Sequence, residues 1–259
     1  MRQYLYRLFI ELTNKKWSSR LLSQYTASPL SKPMIRPFMK AFQINEQEMA
    51  HPVEKYKTLH DFFIRVLASD ARIVEGGPGR VISPVDARLA EAGEIKENCQ
   101  MLIKGKLYSL SEMLGSREKA AGYEGGTFLV FYLSPGHYHR IHSPVDGMVM
   151  ERWVLGKHSY PVNDYGLKYG KAPLSKNYRD ITELQAENKK VAVVKVGAMF
   201  VNSVTRTHTK ARWKQGEEVA YFNFGSTVVL LFECGAFQID EQLTIPGEVK
   251  VGQKIGMLT

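Results

Sequence analysis

The first place in this chain where chemistry could happen is a Gly-Ser bond set among strand-forming residues. Residues 221–233 read Y-F-N-F-G-S-T-V-V-L-L-F-E, so a Gly-Ser-Thr triplet lies between two apolar, β-prone runs. Attack of the Ser226 hydroxyl on the Gly225 carbonyl would convert the amide to an ester, and elimination of that ester would cut the chain. The dehydroalanine left at the new terminus would hydrate, lose ammonia and become a pyruvoyl group. Gly225 suits the step because it has no Cβ to block the approach and tolerates strained backbone geometry. The plainer reading of the same triplet is a glycine bulge inside a strand.

A serine hydroxyl is a weak nucleophile until a base takes its proton and a third group orients the base. Residues 131–147, F-Y-L-S-P-G-H-Y-H-R-I-H-S-P-V-D-G, supply His137, His139 and His142. On a regular strand the first two face one side and His142 the other, so the three do not converge on one ion without a bulge and no metal is expected. Acid-base work is the better use of imidazole. His142 as base and Asp86 as orienting acid would form an Asp-His-Ser relay in the order 86, 142, 226. Taken singly, Asp86 also reads as a turn residue after Pro84, and His142 as a strand-end residue.

The elements that must position these groups follow from composition and pattern. With 259 residues, 44% of them hydrophobic, the chain can bury one large core. A net charge of +9 suits an anionic partner such as a nucleic acid, an acidic membrane surface or an acidic small molecule. Cys99 and Cys234 match no metal spacing and read as reduced thiols in a cytosol-facing protein. No apolar run is long enough for a spanning helix, and Arg7 and Glu11 interrupt anything resembling a signal peptide.

Residues 2–13 have helical periodicity with one narrow polar stripe, and residues 1–40 are strongly basic with interleaved aromatics, which suits the headgroup layer of an anionic leaflet. Proline spacing breaks the helix at 28–37. A second helix is predicted over 58–68, with Thr58 as its cap and Asp61 in its first turn. Beyond about residue 80 short β-type runs take over: 81–83, 128–133, 139–149, 191–196, 221–232 and 249–258. Ser83-Pro84-Val85-Asp86 recurs as Ser143-Pro144-Val145-Asp146, each copy leading into a strand-like run. The final segment is similar to a biotinyl or lipoyl carrier hairpin but lacks the Met-Lys-Met or Asp-Lys-Ala triplet of a carrier. The expected fold is therefore mainly β (α+β): a hybrid barrel or sandwich of related hairpins over 71–259, behind an amphipathic helical, membrane-associating region over 1–70.

Taken together, Ser-Pro-Val-Asp, the Y-H-R-I-H-S-P run and the downstream F-G-S-T-V resemble the phosphatidylserine decarboxylases, a pyruvoyl-dependent family, in their bacterial form. The resemblance runs from about residue 55 to the C-terminus. It implies a carboxy-lyase that activates itself by cutting between Gly225 and Ser226, giving a β chain of 1–225 and an α chain of 226–259 that stay associated. It maps the relay onto Asp86, His142 and Ser226, and makes Ser226 the pyruvoyl group that forms a Schiff base with phosphatidylserine and releases carbon dioxide, giving phosphatidylethanolamine. It places His139 at the substrate during decarboxylation and reprotonation, gives Tyr132 a share in positioning substrate, and implies a peripheral place on the cytoplasmic face of the cell membrane. The chain departs from the family pattern at Ala87, where glycine is usual, at Gly136-His137, where an acid is common before Tyr138, and at Asn202, a frequent glycine.

Two other readings compete within reach of the sequence: a catalytically inert membrane-binding β-barrel, and a related pyruvoyl decarboxylase acting on a free amino acid. A nucleic-acid binder is disfavoured because the charge is mostly N-terminal and no recognised binding motif is present.

Overall fold

The computed structural model describes residues 23–198, 204–223 and 226–259. The helix expected over 2–13, Asn202 and Gly225 lie outside them. In chain order the first elements are helices α1 (Ile35–Phe42) and α2 (Leu59–Phe63), strands β1 (Arg80–Ile82) and β2 (Ala87–Glu94), and a hairpin of β3 (Gln100–Ile103) and β4 (Lys106–Ser109). Helices α3 (Leu110–Leu114) and α4 (Arg117–Ala121) precede strands β5 (Thr127–Leu133), β6 (Arg140–His142) and β7 (Gly147–Leu155). Helices α5 (Asp164–Tyr169) and α6 (Pro173–Lys176) lead to β8 (Arg179–Ala186), β9 (Lys189–Gly197), β10 (Val204–Arg206), β11 (Arg212–Trp213), β12 (Glu218–Phe222), β13 (Ser226–Phe232), β14 (Phe237–Ile239), β15 (Gly247–Val249) and β16 (Lys254–Leu258).

The main sheet has the order β11-β7-β8-β9-β13-β5-β2-β15, and two three-stranded sheets, β1-β16-β14 and β10-β12-β6, accompany it. Neighbours in the main sheet pair antiparallel throughout, and it ends in β11 and β15 without closing, so the β body expected from sequence is present as open layers. Strand β13 is buried along its whole length. Val228, Leu230 and Phe232 face a core shared with Leu129, Phe131 and Ile141, whereas Val229 and Leu231 face a second core with Val130 and Val194. Burial on both faces is why its sequence is an unbroken apolar run with no alternation.

The Ser-Pro-Val-Asp echo is a structural repeat. Ser83 and Ser143 each donate Oγ–H to the carbonyl two residues on, at 2.7 Å in both copies. The copies cross-link reciprocally: the Ile82 amide donates to the Pro144 carbonyl (3.1 Å) and the His142 amide to the Pro84 carbonyl (2.8 Å). The strands they lead into, β2 and β7, shift register at matching places, between Leu89 and Glu91 and between Val149 and Glu151.

Several boundaries differ from the sequence expectation: the run expected over 249–258 is the end of β15 and the whole of β16, in different sheets, and α1 runs through Pro37, where a break is expected. The helix predicted over 58–68 forms only as Leu59–Phe63, although Thr58 caps it by accepting from the Asp61 amide at 3.0 Å. It stops because the chain beyond it turns back, with Leu67 bridged to Met49 and Arg65 committed to the loop before β6. The run expected over 139–149 is two strands, split by the second Ser-Pro-Val-Asp turn. The run over 221–232 is likewise β12 and β13, which belong to different sheets.

Candidate active site

Ser226 opens β13, paired with Leu133 on one side and Gly197 on the other. Strand alternation puts its side chain on the face of Val228, toward the core that contains Ile141 of β6. Ser226 is fully buried and its hydroxyl has no hydrogen-bond partner among the described residues. Leaving a buried hydroxyl unsatisfied costs about 1–3 kcal/mol, so its isolation calls for a reason beyond packing.

The two histidines reach their places from either end of the short β6. His139 lies just before the strand, and β12 bulges opposite it, with a register shift between Glu218 and Ala220. No straight strand runs from 138 to 145, because β6 ends in a turn after His142; the bend expected between His139 and His142 is not marked in β6 itself, and the irregularity there lies on β12, opposite Ile141 and His142. His139 is fully buried against Phe63, with ring centroids 3.9 Å apart. Its Nδ1–H donates to the His137 carbonyl at 2.8 Å, which leaves Nε2 as a bare lone pair with no partner. Burial, reinforced by the positive charge of Arg65, holds its pKa well below the ordinary imidazole value. His142 donates Nδ1–H to the Gly216 carbonyl at 2.8 Å, and its Nε2 accepts from the Tyr138 hydroxyl at 3.3 Å. Burial lowers its pKa too, against the opposing pull of the Gly216 carbonyl, Glu218 and Asp86. Both rings are thus neutral bases near pH 7.

Asp86 is close enough to His142 to act on its charge, and the cross-link between Pro84 and the His142 backbone brings the two segments together. Its carboxylate is nevertheless committed elsewhere. It accepts from Arg72 Nε at 2.9 and 3.1 Å, from Arg72 Nη2, and from the Val251 amide at 2.9 Å. Arg72 in turn reaches Glu48 at 2.6 Å. The ring of His142 is oriented here by Gly216 rather than by a direct bond to Asp86.

Tyr132 pairs with Thr227, the residue after Ser226, and packs against the second core, on the opposite face of the sheet from the Ser226 side chain. It lines a cavity of about 290 Å³ together with Arg88 and Tyr165. A second cavity of about 280 Å³ contains Asp86, Arg72, Arg65 and Tyr138. Ser134 and His137 border both. His137 is a loop lock: Nδ1 accepts from the Ser134 amide at 3.1 Å and Nε2 sits 3.1 Å from Glu248.

Sequence reasoning missed Arg65, Arg72, Glu48, Tyr138 and Gly216. Tyr138 adjoins two named histidines, and that adjacency was a usable signal. The others come from distant segments, and nothing in their local pattern marks them. Two departures from the family pattern have simple accommodations. Ala87 is buried in the extended strand β2 opposite Val249, where a methyl group packs into the core. Gly136 faces α1 so closely that a Cβ there would lie 2.8 Å from the Phe42 carbonyl, which leaves no room for an acid.

Fold and site define a class: a mainly β protein that buries an unpartnered serine at the head of a central strand and carries two uncharged imidazoles at the ends of β6. Comparison with known proteins makes this specific. The family model for phosphatidylserine decarboxylase matches residues 59–257. The phosphatidylserine decarboxylase proenzyme of Geobacillus kaustophilus (strain HTA426) is 52% identical over 256 residues, covering 99% of this chain and 97% of that protein. That of Anoxybacillus flavithermus (strain DSM 21510 / WK1) is 52% identical over 258 residues, covering 100% and 97%, and that of Bacillus mycoides (strain KBAB4) 49% over 255, covering 98% and 97%. The chain belongs to the phosphatidylserine decarboxylase family.

Proposed function

We propose that this chain is a phosphatidylserine decarboxylase proenzyme that cuts itself between Gly225 and Ser226 and then converts phosphatidylserine to phosphatidylethanolamine and carbon dioxide. The observation that carries the reading is the buried, unpartnered Ser226 hydroxyl at the head of β13, in a chain of this family. His142, neutral and unprotonated at Nε2, serves as the base for the hydroxyl once the long Tyr138 contact at that nitrogen gives way, and Asp86 favours the imidazolium through its field. A pyruvoyl group derived from Ser226 would supply the electron sink for decarboxylation. The residues present suit such a group: the site is closed to water, and the unpartnered Nε2 lone pair of His139 could take a proton from the substrate ammonium and return it to carbon. Tyr132 positions substrate from the neighbouring cavity.

The enzyme works at the cytoplasmic face of the cell membrane as a peripheral protein. Among the described residues no helix is long and apolar enough to cross a membrane. Helix α1 and the turn before it instead expose Leu30, Met34 and Phe42 alongside Lys32, Arg36 and Lys40, a surface suited to anionic headgroups. Phe42 also borders the cavity that contains Asp86, so lipid held on this surface lies next to the site.

Intact mass spectrometry of wild type beside Ser226→Ala tests the reading. Two fragments divided after Gly225 are expected for wild type, the smaller with a pyruvoyl terminus, and one uncut chain for the variant. A folded wild-type preparation that stays whole would remove the lyase reading and leave an inert membrane-binding protein.

A further inference from the structure

Two of the orphaned polar atoms around the site belong to one guanidinium. Arg65 is 4% exposed, and its Nε and Nη1 have no hydrogen-bond partner among the described residues. Its Nη2 donates to the carbonyls of Gly136 (2.8 Å) and His137 (3.1 Å), which fixes the direction of the remaining two donors. The unpartnered hydroxyl of Tyr56 and the unpartnered Nε2 of His139 lie within its electrostatic reach. Tying the loop to α2 needs only Nη2, so a structural role leaves Nε and Nη1 unexplained. A buried charge normally has a partner, and a cluster of unsatisfied donors marks where a ligand goes.

The charges around the cavity say which kind of ligand. Arg72 is taken by Asp86 and Glu48, Lys250 by Glu48, and His137 by Glu248. Arg65, which forms part of the cavity wall, makes no ion pair among the described residues. One cation is therefore left over, with free donors at Nε and Nη1 that leave the guanidinium on different sides. Burial has lowered its pKa to about 10, which still leaves it charged at neutral pH.

We propose that Arg65 is the receptor for the phosphodiester of the lipid substrate, its unpartnered Nη1–H donating to an unesterified oxygen; this rests on the function proposed above. The substrate carries a second anion, the serine carboxylate, but decarboxylation must disperse that charge. A cationic partner there would stabilise the ground state more than the transition state and slow the reaction. The phosphodiester keeps its charge from substrate to product, so holding it anchors the headgroup without raising the barrier.

The test uses self-cleaved enzyme and soluble amines trapped on the α chain with borohydride, read as a mass increase. Glycerophosphoethanolamine carries the phosphodiester alone, serine the carboxylate alone and ethanolamine neither. Wild type is expected to trap glycerophosphoethanolamine about tenfold or more faster than ethanolamine, as befits charge-assisted hydrogen bonds. Arg65→Met should bring that ratio near one and leave the serine-to-ethanolamine ratio unchanged, with Arg65→Lys in between. No phosphodiester preference in wild type overturns the proposal without recourse to any variant. A preference that survives in cleaved Arg65→Met, or a loss confined to serine, overturns it as well. An uncut wild-type chain that traps no amine is a different failure, that of the decarboxylase reading itself.

Discussion

The carboxylate of Asp86 answers to Arg72 and the Val251 amide, while His142 takes its tautomer from the Gly216 carbonyl. Aspartate is thus a fixed negative charge near the ring rather than its hydrogen-bonded anchor, and Arg72 is what keeps that charge in place. Replacing Arg72 by methionine in the uncleavable Ser226→Ala background leaves Asp86, 7% exposed, with one amide donor. Breaking a buried pair in this way costs about 3–5 kcal/mol. Urea unfolding should register a loss of that order, and adding Asp86→Asn should recover part of it; a loss under about 0.5 kcal/mol would mean the pair holds nothing. The imidazoles give a second prediction. Burial holds both His139 and His142 below the ordinary imidazole value of about 6.5, so below that pH the unfolded chain binds protons that the folded chain refuses. Stability is therefore complete above about pH 6.5 and falls as the solution is acidified, and the slope between pH 7 and 5 should flatten in His139→Gln. If His142 is the base, as proposed, self-cleavage should run at constant rate from pH 8 down to about 6.5 and decline only below. An inflection above 7 in the cleavage profile would exclude a base with a lowered pKa.

Elements were legible wherever local pattern and tertiary role agreed. The apolar runs of β5, β9 and β13 fall inside their strands, and the Thr58 cap marks the start of α2 correctly. Strand β2, A-R-L-A-E-A-G-E, is rich in helix formers, and only the repeated Ser-Pro-Val-Asp ahead of it betrayed a strand. Pairing on both sides, with β5 and β15, overrides its propensity. The candidate site was legible in its histidines and serine because those residue types announce their chemistry. Its arginines were not, since Arg65 and Arg72 act through contacts with residues 71 and 14 positions away. The docking of α1 was equally hidden, because it depends on the absence of a side chain at Gly136. A methyl group there would press on the Phe42 carbonyl and Cβ at 2.8 and 3.1 Å. Gly136→Ala should cost about 1–3 kcal/mol of overpacking, seen as a lowered unfolding midpoint and faster proteolysis near residues 42–45. An unchanged midpoint and digestion pattern would show that helix and loop separate freely.

At the scale of the whole molecule, cutting before Ser226 makes residues 226–259 a separate chain without exposing it. That piece contributes β13 to the middle of the main sheet, hydrogen-bonded to β9 and β5 over seven residues each, and β16 to the middle of a second sheet, between β1 and β14. Val228, Val229, Leu230, Leu231 and Phe232 are fully buried, and each such side chain is worth about 1.5–3 kcal/mol. The register that sets Ser226 between Leu133 and Gly197 exists only once these sheets have formed, so the geometry for cleavage is a product of folding. The two chains should therefore co-elute in native gel filtration after cleavage and part only in denaturant. Their association also changes the thermodynamics, because unfolding of the cleaved form releases two molecules where unfolding of Ser226→Ala releases one. Mass action then makes the midpoint of the cleaved protein rise with protein concentration, whereas that of the variant stays fixed. A scan at two concentrations tenfold apart measures this directly. A cleaved protein whose midpoint ignores concentration, or whose small chain is lost on dilution, would show that the ladders on either side of β13 do not hold the chains as one folding unit.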